Sequence, residues 1–91
     1  MILVRDDKYI KIERKFFKNH SNLISKYASV LKKLQKNHFD ESLDTHKLGG
    51  KMNGLYSCSL NYQYRIILSI VVVEDKLYIV DVGTHEEVYK A

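Results

Sequence analysis

The sequence predicts an α+β fold, in which a two-helix hairpin packs on a small antiparallel β-sheet in the order β-α-α-β-β-β. Three observations predict it. The first half of the chain repeats apolar residues at helical spacing. The second half consists of short apolar runs separated by polar turns, as antiparallel strands are. The chain has 91 residues, the size of one domain, so we expect a single domain over residues 1–91.

A short strand and an amphipathic helix are predicted at the start of the chain. Residues 1–5 (MILVR) read as the strand, because they are mostly apolar and β-branched. Asp6 or Asp7 can then cap a helix, since a carboxylate accepts hydrogen bonds from the free amides of the first turn. The apolar face of that helix contains Tyr9, Ile12 and Phe16.

The second helix has the clearest periodicity in the chain. Ser21 is a plausible N-cap, because it follows a polar break and precedes an apolar repeat. A wide apolar stripe then recurs at helical spacing. Two such helices with a short connection form a hairpin that must cover an apolar surface. The stripe consists of Leu23, Tyr27, Val30, Leu31 and Leu34.

The second half of the chain is predicted to contain three strands. Residues 37–54 are polar, glycine-punctuated and irregular. Strands are expected at 55–60, 64–73 and 77–82, with tight turns between them, and a short tail follows at 86–91. The middle strand is nearly continuous in apolar residues, which suits a central strand buried on both faces.

Charge is unevenly distributed along the chain. Residues 1–54 hold 12 Lys or Arg and 6 Asp or Glu, a net charge of +6, whereas residues 55–91 hold 3 and 5, a net of −2. A basic half indicates a polyanionic or an acidic protein partner, although solvated lysine-rich helix faces would give the same count.

Several classes of protein are not indicated by the sequence. No apolar run approaches the roughly 18 residues that a membrane span needs, and the opening MILVRDD is too short in apolar residues for a secretory signal. A single cysteine, Cys58, suits a reducing compartment, so we expect a cytoplasmic protein. The four histidines are scattered without zinc-type spacing, so we expect no metal and no cofactor.

From His46 onward the motifs resemble a known family. The segments HKLGGKMNGLYSCSLNYQYRIILSI and VDVGTHEEVY resemble the RelE/ParE superfamily of type II toxins, nearest to the plasmid-stabilisation branch related to YafQ-like toxins. The strong part of the resemblance covers residues 46–89. The stretch from Phe39 to His46, which fits F-x-x-S-L-x-T-H, adds support.

The resemblance implies a metal-independent ribonuclease site. In such enzymes the ribose 2′-OH attacks the adjacent phosphate, which needs a base, an acid for the leaving 5′-oxygen and a cation at the phosphorane. The superfamily pattern brings together four candidates in this chain: His46, Arg65, His85 and Tyr89. Imidazoles titrate near neutral pH and can act as base or acid, arginine grips two phosphate oxygens, and tyrosine can stack on a base or donate to the phosphate.

Three further residues are candidates for RNA binding. Lys47 and Lys51 can hold RNA phosphates, with a solvated loop as the alternative. Tyr64 can stack on a base, and packing in the core is the alternative for it. Cys58 reads as a small buried side chain and not as a nucleophile.

Each catalytic candidate also has a structural alternative. His46 could be an ordinary loop residue, and Arg65 could form an ion pair at the sheet edge with Asp81 or Glu74. His85 could simply end a strand. Tyr89 could cover the core at the C-terminal end.

The sequence departs from the family at several positions. RelE-type members carry paired lysines where Ser57 and Ser59 stand here. YafQ-like members carry a histidine where Leu60 stands and an aspartate where Tyr64 stands. The acid–base set is therefore smaller than in either prototype, which leaves His46 and His85 as the two imidazoles at matching positions.

The function implied by the resemblance is that of a toxin of a type II toxin–antitoxin system. It would cleave mRNA, free or on the ribosome, inhibit translation and growth, and be held in check by a cognate antitoxin that covers the basic site or the helical hairpin. One alternative is a ParE-like inhibitor of DNA gyrase without nuclease activity. Another is a decayed toxin that only binds its antitoxin.

Overall fold

The computed structural model describes residues 1–89, which form three helices and one five-stranded sheet. No helix among these residues combines the length and the apolar character that crossing a membrane requires. The strands are β1 (Ile2–Val4), β2 (His46–Lys47), β3 (Tyr56–Ser59), β4 (Tyr64–Val71) and β5 (Lys76–Thr84). The helices are α1 (Asp7–Lys18), α2 (Ile24–Lys36) and α3 (His85–Val88).

The α+β fold with a helical hairpin on one sheet is confirmed, but the sheet is mixed. Its order is β1-β5-β4-β3-β2, and β1 pairs with β5 in parallel, whereas the other neighbours are antiparallel. The prediction of a purely antiparallel sheet was therefore wrong for the first strand. The two helices between β1 and the meander return the chain so that β1 joins the free edge of β5 in the same direction.

Two further differences concern where strands begin and end. The segment predicted as irregular contains the two-residue strand β2, which extends the sheet beyond β3. The central strand ends at Val71 and not at Val73, because Val72–Glu74 forms a 3₁₀ turn closed by Asp75 in the left-handed conformation. Val73 is 95% exposed, so the expectation that it would be buried was wrong.

The helices pack their apolar stripes on one face of the sheet. Asp6 caps α1 by accepting a hydrogen bond from the amide of Tyr9, as one of the two predicted caps. Helix α2 begins at Ile24 without a side-chain cap, because the Ser21–Leu23 segment forms a 3₁₀ turn. The buried core consists of Tyr9, Phe16, Tyr27, Val30, Leu34 and Leu43 above the sheet, and Cys58, Leu60, Ile66, Leu68, Leu77, Ile79 and Val82 on it.

A polar network joins the two helices to the loop after β1. The Tyr27 hydroxyl donates to a carboxylate oxygen of Glu13 at 2.6 Å and lies 2.6 Å from the hydroxyl of Tyr9. The guanidinium of Arg5 donates to both oxygens of Glu13. Burial alone would raise the pKa of Glu13, but these hydrogen bonds and the charge of Arg5 lower it. The network therefore holds α1, α2 and the end of β1 together through one ionised carboxylate.

Candidate active site on the open face of the sheet

The face of the sheet opposite the helical hairpin carries the candidate site. Side chains alternate between faces along a strand, and the neighbours Cys58 and Ile66 point into the core under the helices. Ser57 and Ser59 on β3 and Arg65 on β4 therefore lie on the other face, which we call the open face. His46 joins them there, because it pairs directly with Ser57.

A glycine allows the C-terminal segment to return over this face. Gly83 pairs with Arg65 across β4 and β5, so both are on the open face. A Cβ on Gly83 would lie 3.3 Å from Cβ of Glu87 and 3.4 Å from Cγ1 of Val88. Helix α3 follows directly and is fixed by a capping box, in which Thr84 and Glu87 satisfy each other's backbone amides. The absence of a side chain at position 83 thus lets α3 approach the sheet next to Arg65.

Arg65 is held by two side chains from different segments. One terminal nitrogen donates to Oγ of Ser59 at 2.5 Å, and the other lies 3.6 Å from a carboxylate oxygen of Asp44. The predicted alternative, an ion pair with Asp81 or Glu74, is wrong, since its ion-pair partner is Asp44. The Arg65 side chain is 18% exposed and that of Asp44 is 70% exposed. The guanidinium is consequently anchored from the sheet side, while its counter-ion is on the solvent side.

Asp44 also orients His46. The residue has φ 50° and ψ 44°, the left-handed conformation that aspartate adopts more readily than most residues. This turn directs its backbone carbonyl oxygen to Nδ1 of His46 at 2.9 Å. A carbonyl oxygen can only accept, so Nδ1 carries the hydrogen and Nε2 of the neutral ring is left with a lone pair. One residue therefore contacts both a candidate imidazole and the candidate cation.

Tyr89 and His85 come from the segment after β5. The Tyr89 hydroxyl donates to Oγ of Ser57 at 2.5 Å, and Ser57 is fully buried beneath it. The ring of His85 meets the ring of Tyr89 edge-to-face, with 4.2 Å between ring centroids. His85 is exposed, so its imidazole is open to solvent. The hydrogen bond therefore connects Tyr89, which follows α3, to Ser57 on β3, and Ser57 is the residue that pairs with His46.

The three predicted RNA-binding residues lie away from this cluster. Tyr64 lies on the helix-covered face, where its hydroxyl is 3.0 Å from Nε2 of His20 and its ring meets Phe16 edge-to-face. Lys47 is exposed and follows His46 in the strand, so it is on the opposite face, paired with Tyr56. Lys51 is exposed in the Gly50–Met52 turn. The packing alternative for Tyr64 is the one that agrees with these contacts.

Cys58 is a core residue, as expected. Its side chain is fully buried under the helices. Burial raises the pKa of the thiol to about 12, and the nearby charge of Arg65 only partly opposes this. Because the thiolate is the nucleophilic form, this cysteine is unsuited to nucleophilic chemistry.

Three residues that contact the candidate side chains are not predicted from the sequence to belong to the site. Asp44 acts partly through its backbone, which no residue pattern reveals. Ser57 and Ser59 stand where RelE-type members carry lysines, yet each accepts a hydrogen bond from a candidate residue. Their i, i+2 spacing on a strand was the available signal, since it places two small polar side chains on one face.

Comparison with known proteins finds matches to the structure of this chain but none to its sequence. Within residues 1–89, no group of three or more His, Cys, Asp or Glu side chains is arranged to hold a metal ion. No protein-family model and no curated protein matches the sequence. Solved structures do match it over nearly the whole chain.

Three of these structures are toxins. YafQ from Escherichia coli strain BL21(DE3) superposes with a TM-score of 0.78 at 13% identity, and the match covers 96% of each chain. A metal-bound toxin from Helicobacter pylori gives 0.80 at 21% identity, over 98% of this chain and 99% of the other. A YoeB–YefM complex from Staphylococcus aureus gives 0.73 at 17% identity, over 93% and 97%. The chain has the fold of these toxins. The fold implied by the resemblance to the RelE/ParE superfamily is thereby confirmed.

Proposed function

We propose that this chain is the toxin of a type II toxin–antitoxin system and acts as a metal-independent endoribonuclease on mRNA. The observation that carries the proposal is the gathering of His46, Arg65 and Tyr89 on the open face, with His85 against the ring of Tyr89. The toxins with the same fold support the first part of the proposal. The chemistry of the four side chains supports the second part.

In the proposed reaction the ribose 2′-oxygen attacks the adjacent phosphorus. A base removes the 2′ proton, a bond forms from the 2′-oxygen to phosphorus, and the bond from phosphorus to the 5′-oxygen breaks. An acid donates a proton to that 5′-oxygen. The products are a 2′,3′-cyclic phosphate and a 5′-hydroxyl, and no metal or redox partner is needed. Arg65 stabilises the charge on the phosphorane with its two terminal nitrogens.

His46 is the better candidate for the base. Its Nδ1–H is used by the carbonyl of Asp44, so Nε2 can accept the 2′ proton. His85 then protonates the leaving oxygen from the other side of Arg65. In this proposal Tyr89 acts through its partly exposed ring, which stacks on a nucleobase, because its hydroxyl already donates to Ser57.

The proposed protein partner is an antitoxin, as in the YoeB–YefM complex from S. aureus. A groove of about 340 Å³ between α1 and α2 is lined mainly by apolar side chains, among them Phe17, Ile24 and Leu31. Arg5, Glu13 and Arg14 also line it, and because Arg5 and Glu13 pair with each other, Arg14 gives the lining a net positive charge. An amphipathic helix that carries acidic residues would match this groove in both polarity and charge.

The proposal is tested by incubating the purified protein with mRNA, with and without ribosomes, and mapping the ends of the products. Cleavage that leaves a 2′,3′-cyclic phosphate or 3′-phosphate and a 5′-hydroxyl supports it. A gyrase supercoiling assay is run in parallel. If the protein inhibits supercoiling and does not cut RNA, the ribonuclease proposal is wrong and the chain is a ParE-like gyrase inhibitor.

A further inference from the structure

A second concave surface adjoins the open face. A groove of about 310 Å³ lies between α2 and the turn that joins β3 to β4. Ser59 lines it on one side, and the same serine accepts the hydrogen bond from Arg65. Ser42 and Leu43 line it on another side, directly before Asp44, the counter-ion of Arg65. Although α2 lies on the other face of the sheet, the groove and the candidate active site share Ser59 at the end of β3, where the chain turns into β4.

The groove is basic. Lys26 and Lys33 of α2 line it, and no acidic side chain is among the described residues that do. Neither lysine has an ion-pair partner within residues 1–89. Lys33 is directed to the groove wall by a 3.1 Å hydrogen bond from Nζ to Oγ of Ser42. Asp40 is near Lys33, because the Ser42 hydroxyl donates to its carboxylate at 2.7 Å, whereas Lys26 has no such neighbour among the described lining residues. The described lining itself carries two ammonium groups and no carboxylate, which favours an anionic occupant.

An exposed aromatic side chain stands at the rim. Tyr62 is 97% exposed, although a tyrosine ring carries a large apolar surface. The turn that presents it is fixed, because the side-chain oxygen of Asn61 accepts from the amides of Gln63 and Tyr64 at 2.9 and 2.8 Å. A ring held out on a fixed turn beside two cations has the features of a stacking platform for single-stranded nucleic acid.

We propose that this groove binds the single-stranded RNA that flanks the scissile phosphate. A nucleobase stacks on Tyr62, and Lys26 and Lys33 contact the backbone phosphates. The inference rests on the proposed ribonuclease function, because the groove shares Ser59 with the candidate active site. It adds a binding subsite several side chains away from the reacting atoms, which a substrate must be long enough to reach.

The test uses fluorescently labelled 2′-O-methyl RNA, which cannot be cleaved because it lacks the 2′-hydroxyl nucleophile. A long strand of about 12 nucleotides is expected to bind more tightly than one of about 4, because only the long strand can reach from the active site into the groove. For comparison, OB folds that bind single strands contact about 4–16 nucleotides. Tyr62→Ala should weaken binding of the long strand about ten-fold and leave the short strand unchanged. Tyr62→Phe keeps the ring and should restore the affinity. Val73→Ala, at an equally exposed apolar position, is the control.

The lysines are tested by the salt dependence of binding. Replacing Lys26 and Lys33 by alanine should reduce the slope of log affinity against log salt by about 1.4, because each phosphate contact on a single strand contributes about 0.7. Lys32→Ala and Lys36→Ala, at exposed positions of the same helix, should leave the slope closer to that of the parent protein.

The outcomes separate this inference from the proposed function. If binding of the long strand does not depend on Tyr62, or falls equally in Val73→Ala, the groove is not an RNA-binding site. That result does not bear on the proposed cleavage activity. Binding that depends on Tyr62 in a protein that does not cut RNA supports the groove and overturns the ribonuclease. Loss of antitoxin binding in Tyr62→Ala, with unchanged RNA binding, would make this surface a protein interface instead.

Discussion

The Tyr89 hydroxyl donates a hydrogen bond to Oγ of Ser57, which joins the end of the described chain to a strand 32 residues earlier. Ser57 is fully buried, so the hydroxyl of Tyr89 is anchored on the sheet and is not free to act on a substrate. Two roles for Tyr89 are therefore separable by mutation, because the hydroxyl is bonded to Ser57 whereas the partly exposed ring contacts His85.

Tyr89→Phe is therefore expected to retain more activity than Tyr89→Ala. The phenylalanine keeps the ring for stacking and loses only the anchor, whose net worth is about 1 kcal/mol. Ser57→Ala removes the same hydrogen bond from the other side, so the double variant Ser57→Ala/Tyr89→Phe should lose no more activity than the worse single variant. Cleavage rates of all four proteins test this. Equal loss in Tyr89→Phe and Tyr89→Ala would mean that the hydroxyl itself takes part.

His46→Ala and His85→Ala should each lower the cleavage rate by about 10²–10⁴, the usual contribution of an acid or a base. Both variants should still bind the antitoxin, and in cells neither should arrest growth. His38→Ala is the matched control, because this histidine follows α2 and its ring contacts Phe39, which packs on Tyr56 on the helix-covered side. Full toxicity of both site variants would exclude them as the proton carriers.

Most secondary structure could be predicted because it depends on local patterns. The apolar stripe of α2 and the alternation along β5 are properties of neighbouring residues. The parallel pairing of β1 with β5 could not be predicted, because it depends on how the helical hairpin returns the chain. The run that includes Val72 and Val73 continues the apolar pattern of β4, but the chain turns there through Asp75 in a left-handed conformation.

The candidate site was predictable to the extent that it depends on residue type. His46 and Arg65 were found through motifs, whereas Asp44 contributes a carbonyl oxygen that any residue would have. Tyr64 was placed with the RNA-binding set, and alternation from the core residue Ile66 puts it on the helix-covered face. The face of a strand residue follows from the register of the whole sheet, which a motif does not contain.

Cleavage is expected to survive chelation by EDTA. The proposed reaction uses imidazole and guanidinium side chains only, so it requires no bound cation. The H. pylori toxin of the same fold is described as metal-bound, which makes the measurement informative. The rate should be the same in EDTA, in magnesium and in manganese, once the ionic strength is matched. Activity that is lost in EDTA and restored by one of these cations would contradict the mechanism.

Stability should fall at acid pH through Glu13. The pKa of Glu13 is lowered in the folded protein, because hydrogen bonds from Arg5 and Tyr27 outweigh the effect of burial. A lowered folded pKa contributes stability above the unfolded pKa, and this is lost as the pH falls through the folded value. Between about pH 7 and 3, the free energy of unfolding measured in urea should fall less for Glu13→Gln than for the parent protein. Glu41→Gln, at an exposed carboxylate, should follow the parent. Identical pH dependence in all three would contradict this account.

Arg65→Ala should lower the cleavage rate by about 10²–10³, the usual cost of losing one positioned donor to the transition state. The protein should still fold, because the side chain is held by hydrogen bonds at the surface of the open face and is not part of the apolar core. Antitoxin binding and the urea midpoint are the measurements that separate loss of chemistry from loss of structure.

Asp44→Asn should strengthen substrate binding, in contrast to Arg65→Ala, which should slow the reaction. The Asp44 carboxylate is the resident counter-ion of Arg65 at 3.6 Å, and a substrate phosphate must take its place. Asparagine tolerates the left-handed conformation and keeps the carbonyl that orients His46, so the change removes only the charge. An ion pair of this kind contributes about 0.2–1 kcal/mol, so KM should fall by roughly 1.4- to five-fold while kcat is retained. Ser59→Ala is the contrast, because it removes the anchor from the sheet side and should lower kcat. A fall in kcat for Asp44→Asn as large as that for Arg65→Ala would mean that the carboxylate positions the guanidinium and does not compete for it.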